Sequence, residues 1–189
     1  MALFEDGALL ASDYQEIGRG HAERLVPMIA TLPDKGRAQH IAVNCGPGSF
    51  TGVRIGMSAA KALAMAWKAE LSGYYCLPLV AAQARASMDQ EEPVYVAMNG
   101  GHGEFFVQNF SATGDAIDDL LSLPAEEAIR NARARTIAGS GADQLATDHD
   151  IITLLPDASQ CLLLPETDRN HPVAPVYGRA PDAQPNRAA

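Results

Sequence analysis

Positive charge is in short supply: 14 lysines and arginines face 23 acidic residues, for a net charge of −9. Affinity for nucleic acid comes largely from cationic groups that displace phosphate counterions, so so acidic a chain is a poor reader of RNA or DNA unaided. The one basic trio, Arg130, Arg133 and Arg135, reads as a solvated helix end rather than a phosphate site. Cysteine is sparse as well. Cys45, Cys76 and Cys161 are widely spaced among apolar neighbours, and no CxxC pair exists to hold zinc. Buried, reduced thiols are expected, which suits the cytosol. No apolar run approaches a bilayer span, and the first residues lack the basic, apolar, small-residue progression of a secretion signal. The expectation is a cytoplasmic protein, neither secreted nor membrane-embedded.

Catalytic signals are equally thin. His40, His149 and His171 have no metal-like spacing among themselves or with carboxylates, and His102 sits in a glycine-rich turn. Ser49 lacks the GxSxG surroundings of a hydrolase nucleophile. Asp115, Asp118 and Asp119 read as a polar loop. No catalytic residue, metal site or intrinsic cofactor is expected.

What the chain does have is apolar content of 47% against 20% charged, the balance of a folded protein. Residues 2–4 and 8–14 read as two strands around an Asp6-Gly7 turn. Residues 21–32 read as a helix with Leu25, Met28, Ile29 and Leu32 on one face and a bend at Pro27. A strand over 40–45, a glycine loop over 46–52 and a long helix over 53–70 argue for an α/β architecture. A strand over 74–77 and a helix over 79–88 follow. The polar stretch Asp89-Gln90-Glu91-Glu92-Pro93 divides the chain into lobes of residues 1–92 and 93–189. The second lobe offers a hairpin (94–98 and 104–110), a helix over 124–133, a strand over 136–138 and an extended tail with Pro172, Pro175, Pro181 and Pro185.

The loop Gly46, Pro47, Gly48, Ser49, Phe50, Thr51, Gly52 admits two readings. Glycines allow tight turning, Ser49 or Thr51 can cap the next helix, and free amides at a helix start suit an anion. Against a P-loop, Gly52 is followed by Val53-Arg54 and no lysine. The helix carries the stronger signal. Gly52, Gly56, Ala59, Leu63 and Ala66 share one side, Val53, Met57, Ala60, Ala64 and Trp67 one flank, Ile55 and Ala62 the other. This apolar arc of roughly 220° is about twice what one core can cover. A second helix or a partner must take the excess.

Gly46-Pro47-Gly48-Ser49-Phe50-Thr51-Gly52-Val53-Arg54-Ile55-Gly56 closely resembles the signature of the TsaB family, also called YeaZ. Supporting matches are residues 21–27, Gly139-Ser140-Gly141-Ala142 and Pro175-Val176-Tyr177-Gly178-Arg179. The resemblance implies an actin-like (ASKHA, ribonuclease H-like) two-lobed α/β fold. It implies a non-catalytic subunit that binds and activates a TsaD-type catalytic subunit, alongside a TsaE-type ATPase. The product is tRNA N6-threonylcarbamoyladenosine beside the anticodon, with tRNA reached only through the complex. It leaves room for ATP or ADP at a subunit interface and for a homodimer. The partner face it implies comprises His21, Leu25, Met28, Ile29, Val53, Arg54, Gly56, Met57, Ala60 and Leu63.

Two departures stand out. The family begins with a strand ending in an Asp-Thr loop, ahead of the strand that here starts at Ala2, so a split sheet is expected. Asn99-Gly100-Gly101 stands where the family often has Asp-Ala-Arg. The rival reading is a nucleotide-binding ATPase or small-molecule kinase of the same fold.

Overall fold

Strand β1 (Ala2–Glu5) turns through Asp6 and Gly7, at φ 49° and 81°, into antiparallel β2 (Ala8–Ser12). Positive φ at both turn positions matches the right-handed twist of the flanking strands. The computed structural model describes residues 1–18, 20–145 and 148–178. Helix α1 (His21–Ile29) carries Pro27 inside it and buries none of its residues fully. Strand β3 (His40–Asn44), helix α2 (Phe50–Trp67) and strand β4 (Glu70–Tyr74) form one parallel unit, with α2 as the crossover and register from His40↔Glu70 to Asn44↔Tyr74. The hairpin and this pair are separate two-stranded sheets; among the described residues no ladder joins them. The sheet is therefore split, as expected above.

Helix α3 (Cys76–Ala86) leads into a five-stranded sheet of β5 (Val94–Gly101), β6 (Glu104–Phe110), β7 (Leu121–Pro124), β8 (Thr136–Ala138) and β9 (Asp150–Ile152), ordered β7-β6-β5-β8-β9. Side chains alternate across β5. Val94, Val96 and Met98 pack on Leu77, Val80 and Ala84 of α3, while Tyr95 and Ala97 pack with Ala128, Ile137 and Leu145 on the other face. The short helices α4 (Ala125–Asn131) and α5 (Ala142–Leu145) supply that second layer. Burying each large apolar side chain stabilises the fold by about 1.5–3 kcal/mol, and these two layers hold most of the fully buried ones.

Several element bounds differ from the sequence expectation, each for a local reason. Helix α2 starts at Phe50, not 53, because the Ser49 side chain accepts from Gly52 N and so draws the intervening residues into the first turn. It ends at Trp67, where Lys68 turns left-handed at φ 56°. Strand β4 then occupies 70–74 and α3 starts at Cys76, both earlier than expected, because pairing with β3 overrides the weak strand propensity of Glu70 and Gly73. Strand β5 runs on to Gly101, leaving a two-residue turn at His102 and Gly103. The expected helix over 124–133 is split into the end of β7 and the shorter α4. The tail forms 3-10 turns over Ala158–Leu163 and Glu166–Arg169 before it extends. Arg179, Pro181 and Pro185 lie outside the described residues.

Candidate partner-binding face

The glycine loop is held by its own chain. Asn44 Oδ1 accepts from Gly46 N at 2.8 Å, Gly46 O accepts from Cys76 N at 2.8 Å, and Ser49 O accepts from Val53 N at 2.9 Å. Gly46 sits at φ 102°, and a Cβ there would lie 2.8 Å from the Val176 carbonyl of the tail, so only glycine fits. Cys45 and Cys76 are buried beside this loop as free thiols. Burial holds the Cys45 thiol above its usual range and pushes that of Cys76 up to about 12, so neither is a nucleophile at neutral pH. Among the described residues no three His, Cys, Asp or Glu side chains gather as a metal site, and no helix is long and apolar enough to cross a membrane.

Helix α2 buries only Met57, Ala60 and Ala64 completely. That narrow stripe faces β3 and β4, which cover one side of the helix. The rest of the apolar arc stays open. Ala62 and Ala66 are exposed, Ile55 and Ala59 are half-buried, and a Cβ on Gly56 would meet nothing within 4 Å; Met65, which stands outside the arc on the side of Arg54 and Ser58, is 82% exposed. The excess read from the sequence is thus uncovered by the subunit itself. Helix α1 covers one part of it: His21, Leu25 and Met28 meet Gly52, Ile55 and Gly56 around a cleft of about 350 Å³.

The predicted face therefore divides. Leu25, Met28, Gly56 and His21 line the cleft, Leu63 is half-buried, and Arg54 is exposed at the start of α2. Ile29 abuts Gly36, and the Val53 side chain packs under the loop near Gly46 and Gly48. Met57 and Ala60, expected to face a partner, are 5% and 6% exposed and belong to the subunit's own core, because the helix turns that flank toward the strands. At the start of α1 Gly20 is the N-cap with no side-chain cap bond, and His21 Nε2 is buried without a hydrogen-bond partner.

Sequence reading missed one cluster. Arg54 lays its guanidinium 3.6 Å over the Phe50 ring and donates from Nε to the Tyr177 hydroxyl at 2.9 Å, while Phe50 and Tyr177 stand 5.2 Å apart. The Pro175–Arg179 match gave the only sequence signal for Tyr177. Nothing in the sequence joins positions this far apart.

Comparison with known proteins follows the same geometry. Residues 15–160 match the family model described as "TsaD: tRNA N6-adenosine threonylcarbamoyltransferase". A tRNA N6-adenosine threonylcarbamoyltransferase of Erythrobacter litoralis is 29% identical over 143 residues, 70% of this chain and 42% of that protein. The tRNA threonylcarbamoyladenosine biosynthesis protein TsaB of Bacillus subtilis is 31% identical over 105 residues, 53% of this chain and 46% of the relative. The matched stretch thus spans less than half the length of either relative. A solved structure of YeaZ from Pseudomonas aeruginosa superposes with a TM-score of 0.73 at 26% identity, covering 93% of this chain and 92% of that one. The fold is accordingly the actin-like α/β fold; the chain belongs to the family that the TsaD model describes, and its likeness to TsaB of Bacillus subtilis and to the YeaZ structure assigns it to the TsaB (YeaZ) members of that family.

Proposed function

We propose that this chain is the non-catalytic subunit that docks on and activates a TsaD-type catalytic subunit, in the cytoplasm, for threonylcarbamoylation of tRNA adenosine. The observation that carries the reading is the open small-residue side of α2: Gly56, over the cleft toward α1, has free space beyond its Cα, and further along the helix Ala62 and Ala66 stand exposed. Small residues let a second helix backbone approach closely, and an apolar face left uncovered by its own subunit marks an interaction site. The relatives, a threonylcarbamoyltransferase and a threonylcarbamoyladenosine biosynthesis protein, point to the same pathway. Missing chemistry agrees with an accessory role, since the thiols are held protonated and the loop has no lysine for a triphosphate.

The test is binding and activity with a TsaD-type subunit, a TsaE-type ATPase and tRNA. The wild-type chain is expected to co-elute with the catalytic subunit and to raise modified adenosine in the reconstituted mixture. Gly56→Leu puts a bulky side chain where backbones would meet and is expected to weaken the complex at least about tenfold. A Cβ at this position meets nothing within 4 Å and the side chain beyond it enters the open cleft toward α1, so the variant is expected to stay folded, which its thermal midpoint checks. A wild-type chain that stays monomeric or self-paired beside the folded catalytic subunit overturns the reading. Tight binding of magnesium-ATP to the isolated chain, read by calorimetry, does so too.

A further inference from the structure

The tail does more than run extended past the second lobe. Ser72 Oγ donates to Arg169 O at 2.7 Å, and Gly73 and His171 exchange both backbone hydrogen bonds, at 2.7 and 3.0 Å. The His171 ring stacks on Tyr75 with centroids 4.4 Å apart. The chain then crosses the carboxyl end of β3, where Val176 N donates to Cys45 O at 2.8 Å. Gly178 finally lies so close to the Phe106 ring of β6 that any Cβ would overlap it. One segment thus touches the edge of β4, the glycine loop and the five-stranded sheet.

Its last side chain reaches α2. Tyr177 accepts from Arg54 and faces Phe50, and both ring-bearing residues remain reachable, at 40% and 49% exposure. A long arginine on a surface helix ordinarily samples many rotamers. Here it is placed between a ring and a hydroxyl, near the start of α2 and on the same side of that helix as the exposed Met65 and Ala62. Arginine and aromatic side chains dominate binding energy at interfaces, and fixing them beforehand removes an ordering cost from association.

We propose that residues 172–178 are a latch whose docking pre-organises Phe50 and Arg54 as an anchor for the catalytic partner. Tyr177 is the positioning residue, acting through Arg54. The proposal rests on the reading that α2 is the partner face, and its test separates the two.

The test uses the full chain with Tyr177→Ala, Tyr177→Phe, Arg54→Ala and the Tyr177→Ala/Arg54→Ala pair. In the isolated protein, Tyr177→Ala is expected to speed amide exchange at Val53 and the hydrogen-bonded amides just after it in α2, while the five-stranded sheet keeps its protection. With the TsaD-type subunit, it is expected to weaken binding about tenfold. Tyr177→Phe keeps the ring and should lose less. Arg54→Ala should cost little more once Tyr177 is gone, because the two act as one unit. Equal binding by wild type and Tyr177→Ala, or losses that simply add in the double variant, overturns the latch. Unchanged exchange at Val53 and the bonded amides after it overturns it without reference to any partner. Failure of wild type to bind the subunit sinks the docking reading instead, and the exchange arm still decides whether the latch orders α2.

Discussion

Asn109 is 1% exposed, yet it is a polar side chain on a strand that is otherwise apolar inward. Its burial is tolerated because its polar groups are satisfied. Asn109 N donates to Asp118 Oδ1 at 2.8 Å and Nδ2 to Asp118 Oδ2 at 2.7 Å, while Asn109 Oδ1 accepts from Arg133 N at 3.0 Å. Asn109 thus joins β6 to the end of α4, where Nδ2 also reaches Asn131, and to the segment after it; Asp118, read from the sequence as one of three loop acids, is the carboxylate that holds the Asn109 amide groups. Removing it leaves buried donors unpaired, which costs more than the bonds themselves contribute. Asp118→Ala is expected to destabilise the fold by about 1–3 kcal/mol. Urea unfolding should show a lower midpoint at an unchanged slope, with Asp118→Asn in between. An unshifted midpoint would mean that Asn109 finds other partners.

At the scale of elements, the two halves of the molecule differ in how their strands are supported. Strand β5 has β6 along its whole length and β8 beside Val94 to Val96, whereas β3 is laddered by β4 alone among the described residues. The bond from Cys45 N to Tyr74 O sets the alternation in β3: odd-numbered amides face β4, and those of His40, Ala42 and Asn44 face away. Hydrogen exchange by NMR should accordingly find Ala42 much faster than Val43, with Tyr95 and Val96 both slow. Uniform protection along β3 would show that its outer edge is paired in solution. The same contrast explains what the sequence reveals. Strands β5 and β6, covered on both sides, show as apolar runs, and the capped start of α2 is visible in Ser49. The polar strand β4 is not visible, since its strand character comes from pairing with β3 and not from Glu70, Ser72 or Gly73. The uncovered arc of α2 was legible from periodicity, but which flank goes inward was not. That is set by the strands beneath Met57 and Ala60, and those lie outside any helical window. The latch was illegible for a related reason, because its bonds join residues far apart along the chain.

At the scale of the whole molecule, the acidity read at the outset gains a structural counterpart. The basic trio that came nearest to a phosphate site is answered residue by residue with carboxylates. Arg130 lies 4.0 Å from Glu126, Arg133 3.9 Å from Asp118 and Arg135 2.7 Å from Asp150. These pairs are largely exposed and add little stability, but they cancel much of the local field a polyanion would feel. With a net charge of −9 behind them, they leave no cationic stripe among the described residues able to release counterions from a tRNA backbone. The isolated chain is therefore expected not to retard tRNA in a native gel at about 0.1 M salt, a condition under which exposed charges act within roughly 10 Å. Adding the TsaD-type subunit should produce a retarded band containing both proteins, with a salt dependence set by that subunit's own basic residues. Charge reversal at the trio's partners, Glu126→Lys with Asp150→Lys, supplies a control: if acidity is what keeps tRNA away, this variant should gain weak, steeply salt-dependent binding. Tight binding of tRNA by the unmodified chain alone would mean that some other surface grips RNA despite the overall charge, and the protein would then need to be read as an RNA-binding subunit in its own right.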